Sequence, residues 1–209
     1  MHQTDIIVIG AGIAGAGTAA ELAAAGRRVA LLEAEAQPGF HSTGRSAALW
    51  ILNYGPADVR LLTGASRAMF EAPPPGFAEH PLTQRRAVLF LAPADQRAHL
   101  ERMIAEGEGL RPIEVGELSA MVPILRPDYA AAAAIEEDAF DIDVHALHHG
   151  YLRMLRAHGG AIATEARAAD HRGCRRRLGR RGGAPGRRRT ARAHADAAHR
   201  AAGRCARGA

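Results

Sequence analysis

Three glycines and one acid near the start of the chain have the types and spacing to bind a phosphate and a sugar. Gly10, Gly12 and Gly15 form a GxGxxG pattern, and Glu33 follows Gly15 by eighteen residues. A glycine turn lets the backbone N–H groups at a helix start approach a pyrophosphate, where the helix dipole also favours an anion. A carboxylate at the next strand end can accept hydrogen bonds from a ribose diol and would repel a 2′-phosphate. These residues predict a dinucleotide site that disfavours NADP-type ligands.

The segments around these residues predict the elements that must position them. Residues 5–9 read Asp-Ile-Ile-Val-Ile, and residues 29–32 read Val-Ala-Leu-Leu. Between them an alanine-rich helix is expected from Ile13 to Ala25, with Gly26 as its C-terminal stop. A lone GxGxxG is common in loops, but the order strand, loop, helix, strand is typical of a Rossmann-like unit.

A second polar stretch, from His41 to Ala48, adds hydroxyl groups, a glycine and an arginine. It leads into Ser46-Ala47-Ala48, which is compatible with the start of a helix, so the stretch is again suited to anion contact. Taken alone, it fits a capped surface loop equally well.

Together the two stretches resemble the FAD-dependent amino acid oxidase family, which includes glycine oxidase, sarcosine oxidase and D-amino acid dehydrogenases. The string from Leu32 to Ala48 is especially similar to the D-arginine dehydrogenase branch, and shorter similarities continue to about Asp170. The resemblance implies FAD as cofactor and hydride transfer from an amine or D-amino acid to the flavin. The product would be an imino acid that hydrolyses to a 2-oxo acid. The implied cofactor-binding residues are Gly10, Ala11, Gly12, Ile13, Ala14, Gly15, Glu33, Ala34, Ser42, Thr43, Gly44, Arg45, Ser46 and Ala47.

The resemblance also suggests one catalytic residue and leaves the substrate open. Tyr54 matches an active-site tyrosine of the D-arginine dehydrogenase branch, although a half-buried packing tyrosine is an equal alternative. Leu49 stands where those relatives have a histidine. Residues 82–92 contain Arg85 and Arg86 but no acid that could bind a cationic substrate. The sequence therefore predicts neither the particular small-molecule substrate nor the electron acceptor.

The predicted fold class is α/β, with an incomplete Rossmann-like FAD-binding domain and the start of an α+β substrate domain. Residues 1–80 are assigned to the FAD-binding domain and residues 81–142 to the substrate domain. Residues 143–170 should form a helix and a strand that return to the FAD-binding domain.

Two helices in this region carry predictions of their own. One should begin at Pro56 and run to Met69, with Val59, Leu62 and Ala65 toward the body of the protein. The other should begin after Asp143, a good N-cap, and run to about His158.

The second helix places two histidines one turn apart. His145 and His149 have a spacing that could bind a metal ion. Because the sequence offers no third ligand nearby, we expect solvent-exposed side chains and no metal site.

The last part of the chain differs sharply in composition from the rest. Residues 1–170 carry 14 Arg against 21 acids, whereas residues 171–209 carry 13 Arg against one acid, and no lysine occurs anywhere. Leu178 is the only large aliphatic residue in this tail, so we expect it to be disordered. It reads either as an arginine-rich nucleic-acid arm or as out-of-frame translation of GC-rich DNA. We favour the second interpretation, and expect a truncated chain with little activity and no nucleic-acid partner.

The remaining features concern the cellular compartment. The only cysteines, Cys174 and Cys205, lie in the tail, so residues 1–170 contain neither a disulfide framework nor a thiolate metal site. The start lacks a signal-peptide pattern, and no apolar run is long enough to span a bilayer. The sequence predicts a cytoplasmic protein.

Overall fold

The computed structural model describes residues 4–126 and 128–167. The described residues divide into two compact units, one of residues 4–43 with 151–167 and one of residues 44–126 with 128–150. The predicted domain boundaries at residues 80 and 142 concern family domains rather than compact units, and they stay predictions. The tail that was expected to be disordered lies outside the described residues.

Nine strands and five α-helices occur in the described part of the chain. The strands are β1 (Ile6–Ile9), β2 (Val29–Leu32), β3 (Ala48–Trp50), β4 (Thr83–Arg85), β5 (Val88–Ala92), β6 (Leu110–Ile113), β7 (Ala132–Glu136), β8 (Phe140–Ile142) and β9 (Ala161–Ala163). The helices are α1 (Ile13–Ala24), α2 (Ala57–Glu71), α3 (Arg97–Glu106), α4 (Val115–Met121) and α5 (Val144–Ala157).

The first unit is built on a parallel sheet with strand order β1-β2-β9. Parallel strands need a crossover, and α1 supplies it between β1 and β2. The predicted helix from Ile13 is confirmed, and its buried side chains are alanines that let it lie close to the sheet. The core of this unit consists of these alanines with Ala11, Val29, Leu31, Leu152 and Leu155. The predicted α/β class is confirmed.

The second unit contains two antiparallel sheets, in the orders β3-β8-β4 and β5-β7-β6. The central strand β7 is made mainly of alanine, which favours a helix when isolated. It is nevertheless a strand, because both of its edges pair and its side chains alternate between two buried clusters. Ala133 and Ile135 lie in one cluster with Leu118, and Ala134 lies in the other with Leu100.

The predicted inward face of α2 is wrong. Val59 and Ala65 are exposed, and Leu62 is 73% exposed. The helix is turned so that the Thr63 carbonyl accepts a hydrogen bond from Trp50 Nε1 at 2.9 Å. The spacing of aliphatic residues did not reveal this contact with Trp50, which lies outside the helix.

The segment from Ser46 to Ala48, which is compatible with the start of a helix, does not form one in the described structure. Ala48 instead starts strand β3, which pairs with β8. Trp50 stacks on Phe140 of that strand with ring centroids 4.9 Å apart. This cross-strand aromatic pair stabilises the extended conformation over the local preference for a helix.

The predicted N-cap of α5 is confirmed. Asp143 Oδ1 accepts a hydrogen bond from the Ala146 amide at 2.8 Å, which satisfies one of the free N–H groups of the first turn. Among all the described helices, none has the length and apolar character needed to cross a membrane.

Candidate dinucleotide site

The glycine loop between β1 and α1 has a backbone conformation that residues with a Cβ atom would disturb. Gly10 has a φ of +92°, and its amide donates to the Leu32 carbonyl at 2.7 Å. A Cβ on Gly15 would lie 1.8 Å from the Gly10 carbonyl oxygen. The close approach of the helix to the strand end therefore requires glycine at position 15.

The first turn of α1 presents backbone N–H groups that its own N-cap residue does not cap. Gly12 is the N-cap residue, makes no side-chain capping bond, and the first turn contains no acid. The Ile13 amide donates to Thr43 Oγ1 at 3.0 Å. The amides of Ala14 and Gly15 also belong to the first turn, whose N–H groups have no carbonyl acceptor within the helix. These amides and the hydroxyl group of the buried Thr43 are donors that could bind an anion.

The carboxylate of Glu33 lies beside this loop. The side chain is only 8% exposed, and its Oε2 accepts a hydrogen bond from the Ala11 amide at 2.8 Å. Its Oε1 accepts one from the Glu35 amide at 3.1 Å. Burial by itself raises the pKa of Glu33, but the backbone N–H groups of Glu35, Ala11 and Ala34 outweigh it and hold the pKa below its ordinary value. The group is therefore ionised at neutral pH.

The backbone of Glu33 is fixed by the strand beside it. Its amide donates to the Ala163 carbonyl, and its own carbonyl accepts from the Ala166 amide, both at 2.8 Å. Strand β9 and the residues after it thus hold the acid from the side opposite the glycine loop.

These groups fit the adenosine diphosphate half of a dinucleotide. A pyrophosphate requires several N–H or O–H donors, which the first turn of α1 and Thr43 supply. A ribose diol requires an acceptor, which the ionised Glu33 supplies. The hydrogen bond from Ala11 to Glu33 joins the two parts directly, so the loop and the acid form one site.

The predicted cofactor residues fall into two groups. The structure brings together residues 10–15, Glu33, Ala34 and Thr43 in the first unit, where Ser42 is also present and exposed. Gly44, Arg45, Ser46 and Ala47 are exposed members of the second unit. Contact of this second group with the flavin half stays a prediction.

Tyr54 lies in the second unit and is 70% exposed. This exposure does not fit the alternative of a half-buried packing tyrosine. Its catalytic role stays a prediction.

The residues beside Tyr54 belong to a buried polar network that the sequence did not predict. Glu136 Oε1 accepts from the Leu52 amide at 2.7 Å, and its Oε2 accepts from Asn53 Nδ2 at 2.8 Å. Asn53 also donates to the Glu108 carbonyl at 2.9 Å and accepts from the Glu108 amide at 3.0 Å. The partners are more than fifty residues apart in sequence, so no local pattern could have revealed them.

Arg85, at the end of β4, and Arg86, which follows it, each pair with an acid of the second unit. Arg85 pairs with Asp138 at 3.0 Å and Arg86 pairs with Asp141 at 3.3 Å. Arg85 also lines an open cavity of about 280 Å³ with Arg111 and Glu137. Hydrogen bonds to Glu137 and Glu117 raise the pKa of Arg111. Because carboxylates already neutralise both guanidinium groups of this cavity, it does not form an anion site comparable to the start of α1.

The fold and the site thus belong to the class of α/β proteins with a dinucleotide-binding unit. A model of the DAO family, described as FAD dependent oxidoreductase, matches residues 5–204. The chain belongs to this family, whose cofactor is FAD. The matched range continues past residue 170, where the similarities noticed in the sequence ended.

Solved structures agree with this fold. The chain is similar to glycine oxidase from Geobacillus kaustophilus, with 21% identity and a TM-score of 0.67 over 79% of this chain and 47% of that one. It is also similar to FAD-bound L-alpha-glycerophosphate oxidase from Mycoplasma pneumoniae, with 18% identity and a TM-score of 0.66 over 79% and 45%. L-amino acid deaminase from Proteus myxofaciens gives 21% identity and a TM-score of 0.64 over 78% and 38%. The chain therefore spans less than half the length of these structures.

Proposed function

We propose that this chain binds the ADP half of FAD through the first turn of α1 and Glu33, and that it serves the oxidation of an amine or amino acid. The hydrogen bond between the Ala11 amide and Glu33 carries the proposal, because it joins the phosphate-binding loop to the ribose acceptor. The similarity to a glycine oxidase and an L-amino acid deaminase supports an amino acid as substrate. The resemblance of residues 32–48 to the D-arginine dehydrogenase branch favours a D-amino acid.

The residues of the chain would bind and orient the reactants. FAD, when bound, supplies the acceptor for the hydride that leaves the substrate Cα. The N–H groups of α1 and the Thr43 hydroxyl would hold the pyrophosphate, and residues 44–47 would line the flavin half. Tyr54 would contact the substrate through its exposed hydroxyl group. Loss of the hydride and of an N–H proton gives an imino acid, which adds water and releases ammonia to give a 2-oxo acid.

A second candidate is a non-catalytic fragment that binds FAD or ADP. The observation that favours it is the chain's coverage of less than half of each compared oxidoreductase. Under this proposal the ADP half binds while turnover is low, because catalysis needs a substrate held in a near-attack position from which water is excluded.

Loading with FAD separates the two candidates. The purified chain, incubated with FAD and passed over a desalting column, is assayed for flavin absorbance and for reduction of an artificial acceptor with D- and L-amino acids. We expect weak retention of FAD and little turnover. A stoichiometric yellow protein that oxidises amino acids would contradict the fragment proposal and support a complete enzyme. Absence of any FAD or ADP binding would contradict both.

For residues 171–209 we propose out-of-frame translation rather than a nucleic-acid arm, on the basis of their composition. We also propose a cytoplasmic location, because residues 1–170 contain no cysteine. Translating the coding DNA after codon 170 in the other two frames tests the origin of the tail. A valine-rich strand followed by an Asn-Ala-Ala-Gly-like segment is the expected result. Without it, salt-dependent binding of the chain to nucleic acid becomes the expectation.

A further inference from the structure

We propose that Glu165 is a positioning residue for Glu33 and holds this acid in the orientation that binding of a ribose diol requires. This role rests on the proposed function, because it concerns the ADP half-site. Glu165 follows strand β9 and has a φ of +53°, and it is the one residue other than glycine with a positive φ in the described part of the chain. Such a left-handed conformation is strained for an L-residue, so it persists only where the surrounding structure imposes it.

Glu165 belongs to a bulge in the pairing of β9 with β2. The amide of Glu33 donates to the Ala163 carbonyl, as the regular parallel register requires. In a regular ladder the Glu33 carbonyl would then accept from the residue two positions further on, which is Glu165. It accepts instead from the Ala166 amide at 2.8 Å. One extra residue therefore lies between the two bonds to Glu33, and bulges of this kind redirect the backbone beside binding sites.

The bulge holds both ends of the short turn that carries the acid. The Glu165 amide donates to the Glu35 carbonyl at 3.0 Å, while Ala166 holds the Glu33 carbonyl. Within the turn, the Glu35 amide donates to Glu33 Oε1 at 3.1 Å, and the Ala11 amide of the glycine loop donates to Oε2 at 2.8 Å. We therefore expect the orientation of the carboxylate to depend on the backbone conformation at residue 165.

An NMR pH titration of the full chain tests this role without a nucleotide. The Ala11 amide donates to the Glu33 carboxylate, so its proton resonance should move when Glu33 is protonated at acid pH. Glu165→Gly should keep this step, because glycine adopts a positive φ without strain. Glu165→Val should lose it, because a β-branched residue strongly disfavours that conformation. If the step is the same in Glu165→Val and in the unchanged chain, Glu165 does not position Glu33.

The matched control for the valine variant is Thr164→Val. Thr164 is exposed and directly precedes Glu165, but its φ is not positive. A valine at this position should therefore leave the Ala11 step as it is in the unchanged chain. Loss of the step in Thr164→Val as well would contradict a specific role of the conformation at residue 165.

Nucleotide binding supplies a second measurement. Glu165→Val should bind ADP at least about tenfold more weakly than the unchanged chain, as expected when a hydrogen bond to a charged group is lost. It should also lose most of the preference for ADP over the 2′-phosphorylated analogue. A variant that only unfolds more readily would lose affinity for both nucleotides by the same factor, so its preference would not change.

The glycine variant completes the test. Glu165→Gly should keep both the affinity for ADP and the preference of the unchanged chain. If it is as impaired as Glu165→Val, or if Glu165→Val keeps the preference, Glu165 does not act through its backbone conformation on Glu33. If the unchanged chain binds no ADP, the proposed function is wrong, and the Ala11 titration alone decides whether Glu165 positions Glu33.

Discussion

Glu33 and Glu136 are buried carboxylates, one in each unit, and they differ in the groups that surround them. Glu33 is 8% exposed and accepts hydrogen bonds from backbone N–H groups of the glycine loop and of its own strand end. Glu136 is 2% exposed and is closed over by Asn53, whose amide is itself bound to Glu108. Both carboxylates accept backbone N–H groups, and Glu136 also accepts the side chain of Asn53. Burial and backbone donors are therefore common to both acids, and what distinguishes Glu33 is that one of its donors belongs to the glycine loop.

The largest expected effect on stability comes from removing the Glu136 carboxylate, whose hydrogen bonds all go to other residues of the chain. Glu136→Ala removes the acceptor of the Leu52 amide, the Asn53 amide and the Asn53 side chain. Each buried donor left without a partner costs about 1–3 kcal/mol, so the free energy of unfolding should fall by at least about 3 kcal/mol. Urea unfolding measures the change.

Its neighbour provides the matched control. Glu137 is exposed and pairs with Arg111 at 3.1 Å. Glu137→Ala should lower the free energy of unfolding by less than about 1 kcal/mol, as is usual for surface pairs. If the two variants are equally stable, the network around Glu136 is not a structural one.

The next effect concerns the loop that donates to Glu33. Gly15→Ala places a methyl group 1.8 Å from the Gly10 carbonyl oxygen, so the loop must move. We expect a loss of about 1–3 kcal/mol in the free energy of unfolding, as for other overpacked sites, together with loss of ADP binding. Gly116→Ala is the control, because nothing lies within 4 Å of a Cβ at that position. Full ADP affinity in Gly15→Ala would show that the phosphate does not bind at this loop.

A smaller effect, with a pH dependence, is expected for Glu33→Gln. The pKa of Glu33 is lowered from 4.5, so its ionisation stabilises the folded state at pH values above 4.5. That contribution is lost as the pH falls through the lower pKa of the folded state. At neutral pH the free energy of unfolding of the unchanged chain should be about 1 kcal/mol higher than that of Glu33→Gln. This difference should shrink below pH 4.5. Urea unfolding at several pH values measures it, and a difference that grows toward acid pH would contradict the assigned direction.

The smallest expected effect on stability concerns Asp5, an exposed carboxylate that can be compared with the two buried ones. Asp5 pairs with Arg28, and the side-chain and backbone hydrogen bonds from Arg28 lower the pKa of Asp5 from 3.8 to about 2. Arg28→Gln should return the pKa of Asp5 toward 3.8, as followed by NMR titration. Because the pair is exposed, the free energy of unfolding at neutral pH should hardly change. If the NMR titration midpoint of Asp5 is the same in Arg28→Gln and in the unchanged chain, the ion pair does not form in solution.

These comparisons also explain what could be predicted from the sequence. The positions of the glycine loop and of Glu33 were predictable because they depend on local geometry: Gly10 to Gly15 form one turn, and Glu33 follows the next strand. The orientation of α2 and the Glu136 network were not, because they depend on Trp50 meeting Thr63 and on Asn53 meeting Glu136, which lie far apart in sequence. In β7, pairing on both edges overrides the helical preference of its alanines.

The most direct test of the ADP half-site is a comparison of ADP with its 2′-phosphorylated analogue, using equilibrium titration of the unchanged chain and of Glu33→Gln. An ionised Glu33 accepts hydrogen bonds from the ribose hydroxyls and repels a 2′-phosphate. The unchanged chain should therefore bind ADP at least about tenfold more tightly than the analogue, a difference of about 1.4 kcal/mol. Glu33→Gln should bind ADP more weakly and lose most of this preference. Equal binding of both nucleotides by the unchanged chain would contradict the assignment of Glu33 as the ribose acceptor.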